Sequence, residues 1–204
     1  MKLISDALTS IRGGRTLFSR LSFAVGGGEA LLLTGPNGAG KTTLIRTIAG
    51  LLGPAAGSIR LEGGSAERSV GEQCHYVGHL NAIKSSLTVE ENAAFWCRFL
   101  GGGAERIAAA LAAFGLAGLD DAPAAYLSAG QQRRLGLARV LLANRPVWLL
   151  DEPTVSLDGA AQEALTRAVD AHMAEGGLVV AATHVPLAFA RSRELQLGPG
   201  PVAR

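Results

Sequence analysis

The sequence predicts an α/β fold, a single domain over residues 1–204 with a mixed sheet core and a helical subdomain inserted at about 88–143. Three observations predict it. A short apolar run at 30–34 ends in a glycine-rich turn and opens a segment with helical apolar spacing. Two further continuous apolar runs, at 147–150 and 178–182, have the pattern of parallel strands covered on both faces. Between the first run and these two, the apolar residues recur at helical rather than alternating spacing.

Met1 to Asp6 lacks the basic start, long apolar stretch and small-residue cleavage site of a secretory signal, so it reads as mature protein. Ala30 to Thr34 forms a strand, and Leu44, Ile45, Ile48, Ala49 and Leu52 then mark one face of a helix over 41–52. Short buried strands are expected at 58–61 and 75–77. Helices follow at 89–100, 105–114 and 129–142. After the strand at 147–150, a crossover helix at 160–174 leads to a parallel strand at 178–182. Glycine clusters such as Gly26-Gly27-Gly28 and Gly101-Gly102-Gly103 fall between these segments and read as turns within one domain. A tail rich in Gly and Pro follows Leu197.

Composition narrows the function classes. With 48% hydrophobic and 18% charged residues, the chain can bury a sizeable core, which excludes disorder. Nineteen basic against seventeen acidic residues give a net charge of +2, too even for a nucleic-acid footprint. The two cysteines, Cys74 and Cys97, lack metal-ligand spacing, and a reduced compartment is expected. No apolar stretch reaches the roughly 18 residues of a spanning helix, so any membrane crossing is expected from another chain.

The strongest chemical signal is Gly35-Pro36-Asn37-Gly38-Ala39-Gly40-Lys41-Thr42, which satisfies G-x-x-x-x-G-K-[ST] between a strand and a helix. Glycines let backbone N–H groups turn inward around phosphate oxygens, and the helix N-terminus adds a favourable dipole. Lys41 is expected on the β- and γ-phosphates, Thr42 on Mg²⁺, and Thr43 on the α-phosphate of ATP. A second signal is Asp151-Glu152, placed where an apolar strand ends and where open parallel sheets bind ligands. Asp151 is expected to hold the metal and Glu152 to polarise the attacking water. Read alone, the pair equally suits a cap on the helix that follows.

Leu127-Ser128-Ala129-Gly130-Gln131-Gln132 resembles the LSGGQ signature of ABC-transporter ATPases. The resemblance extends to Leu149 through Asp158 and to the histidine of Ala182-Thr183-His184. It implies a P-loop NTPase fold of the ABC ATPase type and an ATP-dependent head-to-tail homodimer. In such a dimer Ser128, Gly130 and Gln131 meet the nucleotide of the opposite subunit, Asp158 aligns the opposing site, and His184 stabilises charge on the γ-phosphate. Ser128 and Gly130 open a helix, so N–H groups and a positive dipole end would face that phosphate.

Three departures narrow the resemblance. Ala129 replaces the second signature glycine, His79 stands where these ATPases normally carry a glutamine, and Arg12 occupies the place of the adenine-stacking aromatic. A neutral His79 can meet Mg²⁺ or a water, whereas a protonated one repels the metal, so turnover is expected to fall in acid. Stacking by Arg12 is less selective among bases, and GTP is expected to turn over within about tenfold of ATP, near 1.4 kcal/mol. Tyr76-Val77-Gly78-His79 together with Leu127 through Arg134 is most similar to ATP-binding subunits of cytochrome c maturation systems. This implies a peripheral subunit on the cytoplasmic face of a bacterial inner membrane, bound to a separate membrane-spanning subunit. ATP hydrolysis there drives haem release from a membrane-anchored haem chaperone. The docking groove is expected between His79 and the helical insertion, near Ile83, Leu87, Phe95 and Phe99, although aromatics at helical spacing more often belong to a core. An exporter of another substrate, such as a lipid or peptide, and a soluble ABC ATPase remain the alternatives.

Overall fold

A computed structural model describes residues 1–198, so the Gly- and Pro-rich tail lies, beyond Gly198, outside the described residues. Eight strands and five helices run in the order β1 (Lys2–Arg12), β2 (Arg15–Gly26), β3 (Ala30–Thr34), α1 (Lys41–Ile48), β4 (Ala56–Glu62), β5 (Cys74–Val77), α2 (Val89–Leu100), α3 (Arg106–Ala113), α4 (Ala129–Ala138), β6 (Val147–Asp151), α5 (Gly159–Ala174), β7 (Leu178–Ala182) and β8 (Ser192–Gln196). The described residues form two compact units: Met1–Tyr76 with Pro146–Glu152 and 170–198, and Val77–Arg145 with Pro153–Val169.

The first unit holds two sheets. One is antiparallel, in the order β2-β1-β4, and the other has the order β5-β6-β7-β3-β8. In the second sheet β3 pairs in parallel with both β7 and β8, and β6 pairs in parallel with β7. All five residues of β6 and of β7 are buried, as the unbroken apolar runs require of strands covered on both faces. The apolar face of α1, with Leu44, Ile45 and Ile48, shares one cluster with Leu3 and Phe18 of the antiparallel sheet and with Leu31, Leu149 and Val180 of the parallel one. Because β7 lies between β6 and β3, three strand ends that are far apart in sequence open side by side.

The second unit is helical. Val89, Ala93 and Cys97 of α2, Ile107, Ala110 and Leu111 of α3 and Leu135 of α4 are buried in one cluster. Thr88 caps α2 through a capping box with Glu91, and Ser128 caps α4 in the same way with Gln131. The helix expected to run to residue 142 ends as α4 at Ala138 and continues as one tight 3₁₀ turn over Arg139–Leu141.

The pairing of β1 with β2, absent from the sequence reading, has a physical reason for its poor visibility. Register shifts interrupt β1, and Ala7 takes a left-handed φ of 45°. The buried positions of β1 are Leu3, Ser5, Leu8 and Ser10, so the irregularity between Ser5 and Leu8 breaks the two-residue alternation, and half of the inward side chains are polar.

Candidate functional site

The loop from Gly35 to Gly40 joins β3 to α1 in the first unit. Gly35 takes a φ of 130°, and a Cβ there would lie 2.2 Å from the Leu197 carbonyl oxygen, so no side chain fits. Gly38, with a φ of 79°, has no atom within 4 Å of its Cβ position, which leaves an open side for a ligand. Gly40 precedes α1 with a φ of 100°, and no side chain caps the helix. The first-turn N–H groups therefore keep the polarity that suits a phosphate. Lys41 is buried and folds back over this loop, its Nζ donating to the carbonyls of Gly35 at 2.7 Å and Pro36 at 3.3 Å. Pro36, Asn37 and Ala39 complete the loop, and Thr43 follows in the first turn of α1.

The end of β6 supplies the carboxylates. Thr42 Oγ1 donates to Asp151 Oδ1 at 3.0 Å, and Asp151 is fully buried. Register explains the approach: Asp151 and Leu33 both pair with Ala182 from opposite sides of β7, so β6 and β3 end level with one another. A hydroxyl beside a carboxylate is a hard oxygen set, suited to Mg²⁺ that keeps its remaining positions for water and phosphate. Among the described residues no three His, Cys, Asp or Glu side chains cluster as an all-protein metal cage.

Glu152 departs from the strand. Its φ is 49°, a left-handed conformation that costs a side-chain-bearing residue roughly 1–3 kcal/mol and collects at functional sites. The turn is held by its own N–H donating to the Ala182 carbonyl at 2.9 Å. It aims the carboxylate at the residue after β7. His184 Nε2 lies 3.0 Å from Glu152 Oε1, and the His184 backbone N–H donates to Oε2 at 3.3 Å. The Glu152 side chain is 10% exposed and that of His184 is 46% exposed, so one buried acid meets one open imidazole. The sequence suggested separate tasks for these two residues, and their direct pairing was not legible because 32 positions separate them.

The other expected site residues belong to the second unit. Ser128 Oγ accepts from the Gln131 N–H at 3.2 Å, and the Gln131 amide oxygen accepts from the Ser128 N–H at 2.8 Å. The acceptor end of Gln131 thus serves the helix cap, and the N–H groups of Ala129 and Gly130 precede the first intrahelical bonds. A Cβ on Gly130 would be 3.5 Å from the Ser156 carbonyl oxygen, so the signature turn and the loop leading to Asp158 are neighbours within this unit. Asp158 caps α5, its Oδ1 accepting from the Ala161 N–H at 2.8 Å. His79 is exposed in the loop after β5.

That loop is tied down by residues to which the sequence reading gave no role. Arg133, 4% exposed, donates to the Gly78 carbonyl at 2.9 Å and to Asn81 Oδ1 at 3.3 Å. Trp96 Nε1 donates to the Ala82 carbonyl at 2.9 Å. The Arg139 guanidinium lies over the Trp96 ring, 4.3 Å from its centroid, and burial pulls its pKa down to about 10 with the nearby Arg133 charge adding to the effect. Charge alone suggests a solvent face, so the burial of Arg133 in α4 and of Arg139 in the 3₁₀ turn after it was not legible in the sequence.

Phe95 is 49% and Phe99 68% exposed, and their rings stack with centroids 6.1 Å apart. They are not core, and they leave apolar surface exposed on the unit that also carries Ile83, Leu87 and the 84% exposed Leu80. Trp148 is buried in the first unit against His172, with ring centroids 4.0 Å apart and planes at 9°. Arg12 Nη2 donates to the Gly53 carbonyl at 3.0 Å at the end of β1.

Comparison with known proteins shows the family. The family described as ABC transporter matches residues 18–155. A protein of Rhodopseudomonas palustris strain BisB5 named cytochrome c biogenesis ATP-binding export protein CcmA is 55% identical over 198 residues, which cover 97% of this chain and 98% of that protein. The protein of the same name from Brucella abortus strain 2308 is 49% identical, covering 92% of this chain and 87% of its own length. Among solved structures, an ATP-binding subunit of an ABC transporter superposes with a TM-score of 0.82 at 26% identity, over 91% of this chain and 80% of that one. An ABC transporter ATP-binding protein from Pyrococcus furiosus gives the same TM-score at 24% identity and supports the fold.

Proposed function

Because the chain belongs to the ABC transporter family of ATP-binding proteins, we propose that it is the ATP-hydrolysing, energy-coupling subunit of a cytochrome c biogenesis transporter. The catalytic half of this reading is carried by the meeting of Lys41, Thr42, Asp151, Glu152 and His184 at three adjacent strand ends. The cargo half rests on relatives of that name that match nearly end to end at about half identity.

In the proposed mechanism the loop Gly35–Gly40 and Lys41 hold the phosphates of ATP. The Lys41 ammonium exchanges the Gly35 and Pro36 carbonyls for β- and γ-phosphate oxygens. Thr43 donates to the α-phosphate. Thr42 and Asp151 would hold Mg²⁺, which when bound neutralises charge shared by the β- and γ-phosphates. Glu152 accepts a proton from water as the water oxygen bonds to the γ-phosphorus and the bond to the β-phosphate oxygen breaks, leaving ADP and phosphate. His184 holds the Glu152 carboxylate in place through its backbone N–H and offers its ring to the γ-phosphate. From the family resemblance, His79 is proposed to offer a ring nitrogen to the metal or to a water.

Ser128, Gly130, Gln131 and Asp158 complete the nucleotide site of a second copy in a head-to-tail dimer, an arrangement taken from the family resemblance. No helix of the described residues is long and apolar enough to cross a membrane. The chain is accordingly proposed to sit peripherally on the cytoplasmic face of the inner membrane. There it docks the membrane subunit on the surface around Phe95 and Phe99, and hydrolysis drives release of haem from its chaperone. The test is a covalent-haem stain of c-type cytochromes in cells whose only copy carries Glu152→Gln, with the abundance of the subunit followed by immunoblot. Loss of stained cytochromes at normal abundance is expected. Normal staining would remove the cytochrome c role and leave the ATPase reading standing.

A further inference from the structure

The segment from Gly78 to Leu87 has no regular secondary structure, yet it is fastened along its length. Asn92, 3% exposed on α2, accepts from the Lys84 N–H at 2.8 Å and donates to the carbonyls of Lys84 at 3.0 Å and Thr88 at 2.8 Å. Trp96 holds Ala82, whose φ of 52° marks a tight bend. Both of these fastenings come from α2. The fastening at the His79 end comes instead from the helix that begins at the signature serine. Arg133 reaches from α4 to the residues on either side of His79 and Leu80, the Gly78 carbonyl and Asn81 Oδ1. One turn further along α4, a Cβ on Gly136 would sit 3.2 Å from Asn81 Cα and 3.2 Å from its carbonyl oxygen, so helix and loop touch without intervening side chains. A buried guanidinium is costly to desolvate and holds its acceptors in a fixed fork, which makes this joint stiff.

We propose that Arg133, seated by the close approach at Gly136, is a positioning residue that makes the His79 loop follow the signature helix. Displacement of α4 when ATP engages Ser128 is thereby delivered to His79 and to the exposed Leu80, on the same unit as the proposed docking surface. The inference deepens the docking reading given above and rests on it for its consequence at the membrane, but the mechanical joint itself needs no partner to be observed.

The test is amide hydrogen exchange on the full chain with and without Mg²⁺ and a non-hydrolysable ATP analogue, followed in peptides covering 127–133 and 78–82. In the wild type both peptides slow on nucleotide binding. Arg133→Gln keeps the slowing at 127–133 and loses most of it at 78–82, while Arg133→Lys, which retains a buried cationic donor, restores at least half. A residue that only supports the fold would lose both responses together. The proposal is overturned if the 78–82 response persists in Arg133→Gln, is missing from the wild type, disappears together with the response at 127–133, or is not restored by lysine. If Arg133→Gln does not fold, Gly136→Ala carries the test from the other side of the same joint. A response at 78–82 cut by half or more supports the proposal, and an unchanged one overturns it. A parallel assay follows ATP turnover with and without the membrane subunit, where Arg133→Gln lowers tenfold the ratio of turnover with the partner to turnover of the same variant without it. If the exchange responses are as expected but the wild type shows no partner effect, the docking reading fails and the joint stands.

Discussion

Glu152 joins the catalytic task proposed for it to a strained backbone, and a substitution series at this one position separates them. Glu152→Gln removes the proton acceptor but leaves an amide oxygen in the place that accepts the His184 N–H at 3.3 Å. Loss of a general base typically costs 10²–10⁴ in rate, about 3–5 kcal/mol of transition-state stabilisation. Lys41 and Thr42 are untouched, so kcat is expected to fall by that factor with KM for ATP within about twofold. The backbone effect appears in the comparison of Glu152→Ala with Glu152→Gly. At a φ of 49° a Cβ costs roughly 1–2 kcal/mol that glycine avoids. Glycine gives back about 0.4–1 kcal/mol through the larger entropy of its unfolded chain. Both variants lose the carboxylate, so the net advantage of glycine is about 1 kcal/mol, or about 2–4 °C in Tm for a chain of this size. Steady-state phosphate release and thermal denaturation measure the two effects. A Gln variant turning over within tenfold of wild type would refute the catalytic assignment, and an Ala variant at least as stable as the Gly variant would refute the strain.

Three further outcomes follow from the geometry. Thr42→Val removes the hydroxyl that meets Asp151 at 3.0 Å, and the Mg²⁺ concentration for half-maximal turnover is expected to rise about tenfold, the cost of about one charge-assisted contact; an unchanged Mg²⁺ titration contradicts the assignment. Phe99 is 68% exposed, so Phe99→Asp should change unfolding free energy by no more than about 0.5 kcal/mol while abolishing co-purification with the membrane subunit; retained co-purification moves the docking surface elsewhere. Burial against Trp148 lowers the pKa of His172 below its ordinary value, so the unfolded chain takes up this proton first. The associated stability is present above about pH 6.5 and is lost as pH falls through the folded value, and His172→Phe should flatten the acid limb of a Tm-against-pH curve; an unchanged limb would assign it to other groups.

Local chemistry made much of the site legible. The glycine loop, Lys41, Thr42 and the pair Asp151-Glu152 are recognisable because backbone conformation, strand burial and helix entry each demand particular residue types at fixed short spacings. The same holds for the capping box at Ser128 and Gln131, where a three-residue interval closes two hydrogen bonds. The exposed Phe95 and Phe99 show the limit of that method, since helical spacing describes a stripe and not what covers it.

Periodicity and motif spacing sufficed for the buried parallel strands β3, β6 and β7, the phosphate loop and the acid pair, because these are set by interactions among residues close in the chain, whereas the largely exposed β8, parallel to β3, carries no apolar run and was not legible. Tertiary structure alone decided that β7 would bring the end of β6 beside that of β3, that Glu152 would turn out of its strand to meet His184, and that Arg133 would be buried against the His79 loop. These are long-range pairings, and their partners are chosen by strand order and by the need to satisfy buried polar groups, which no local window of sequence contains.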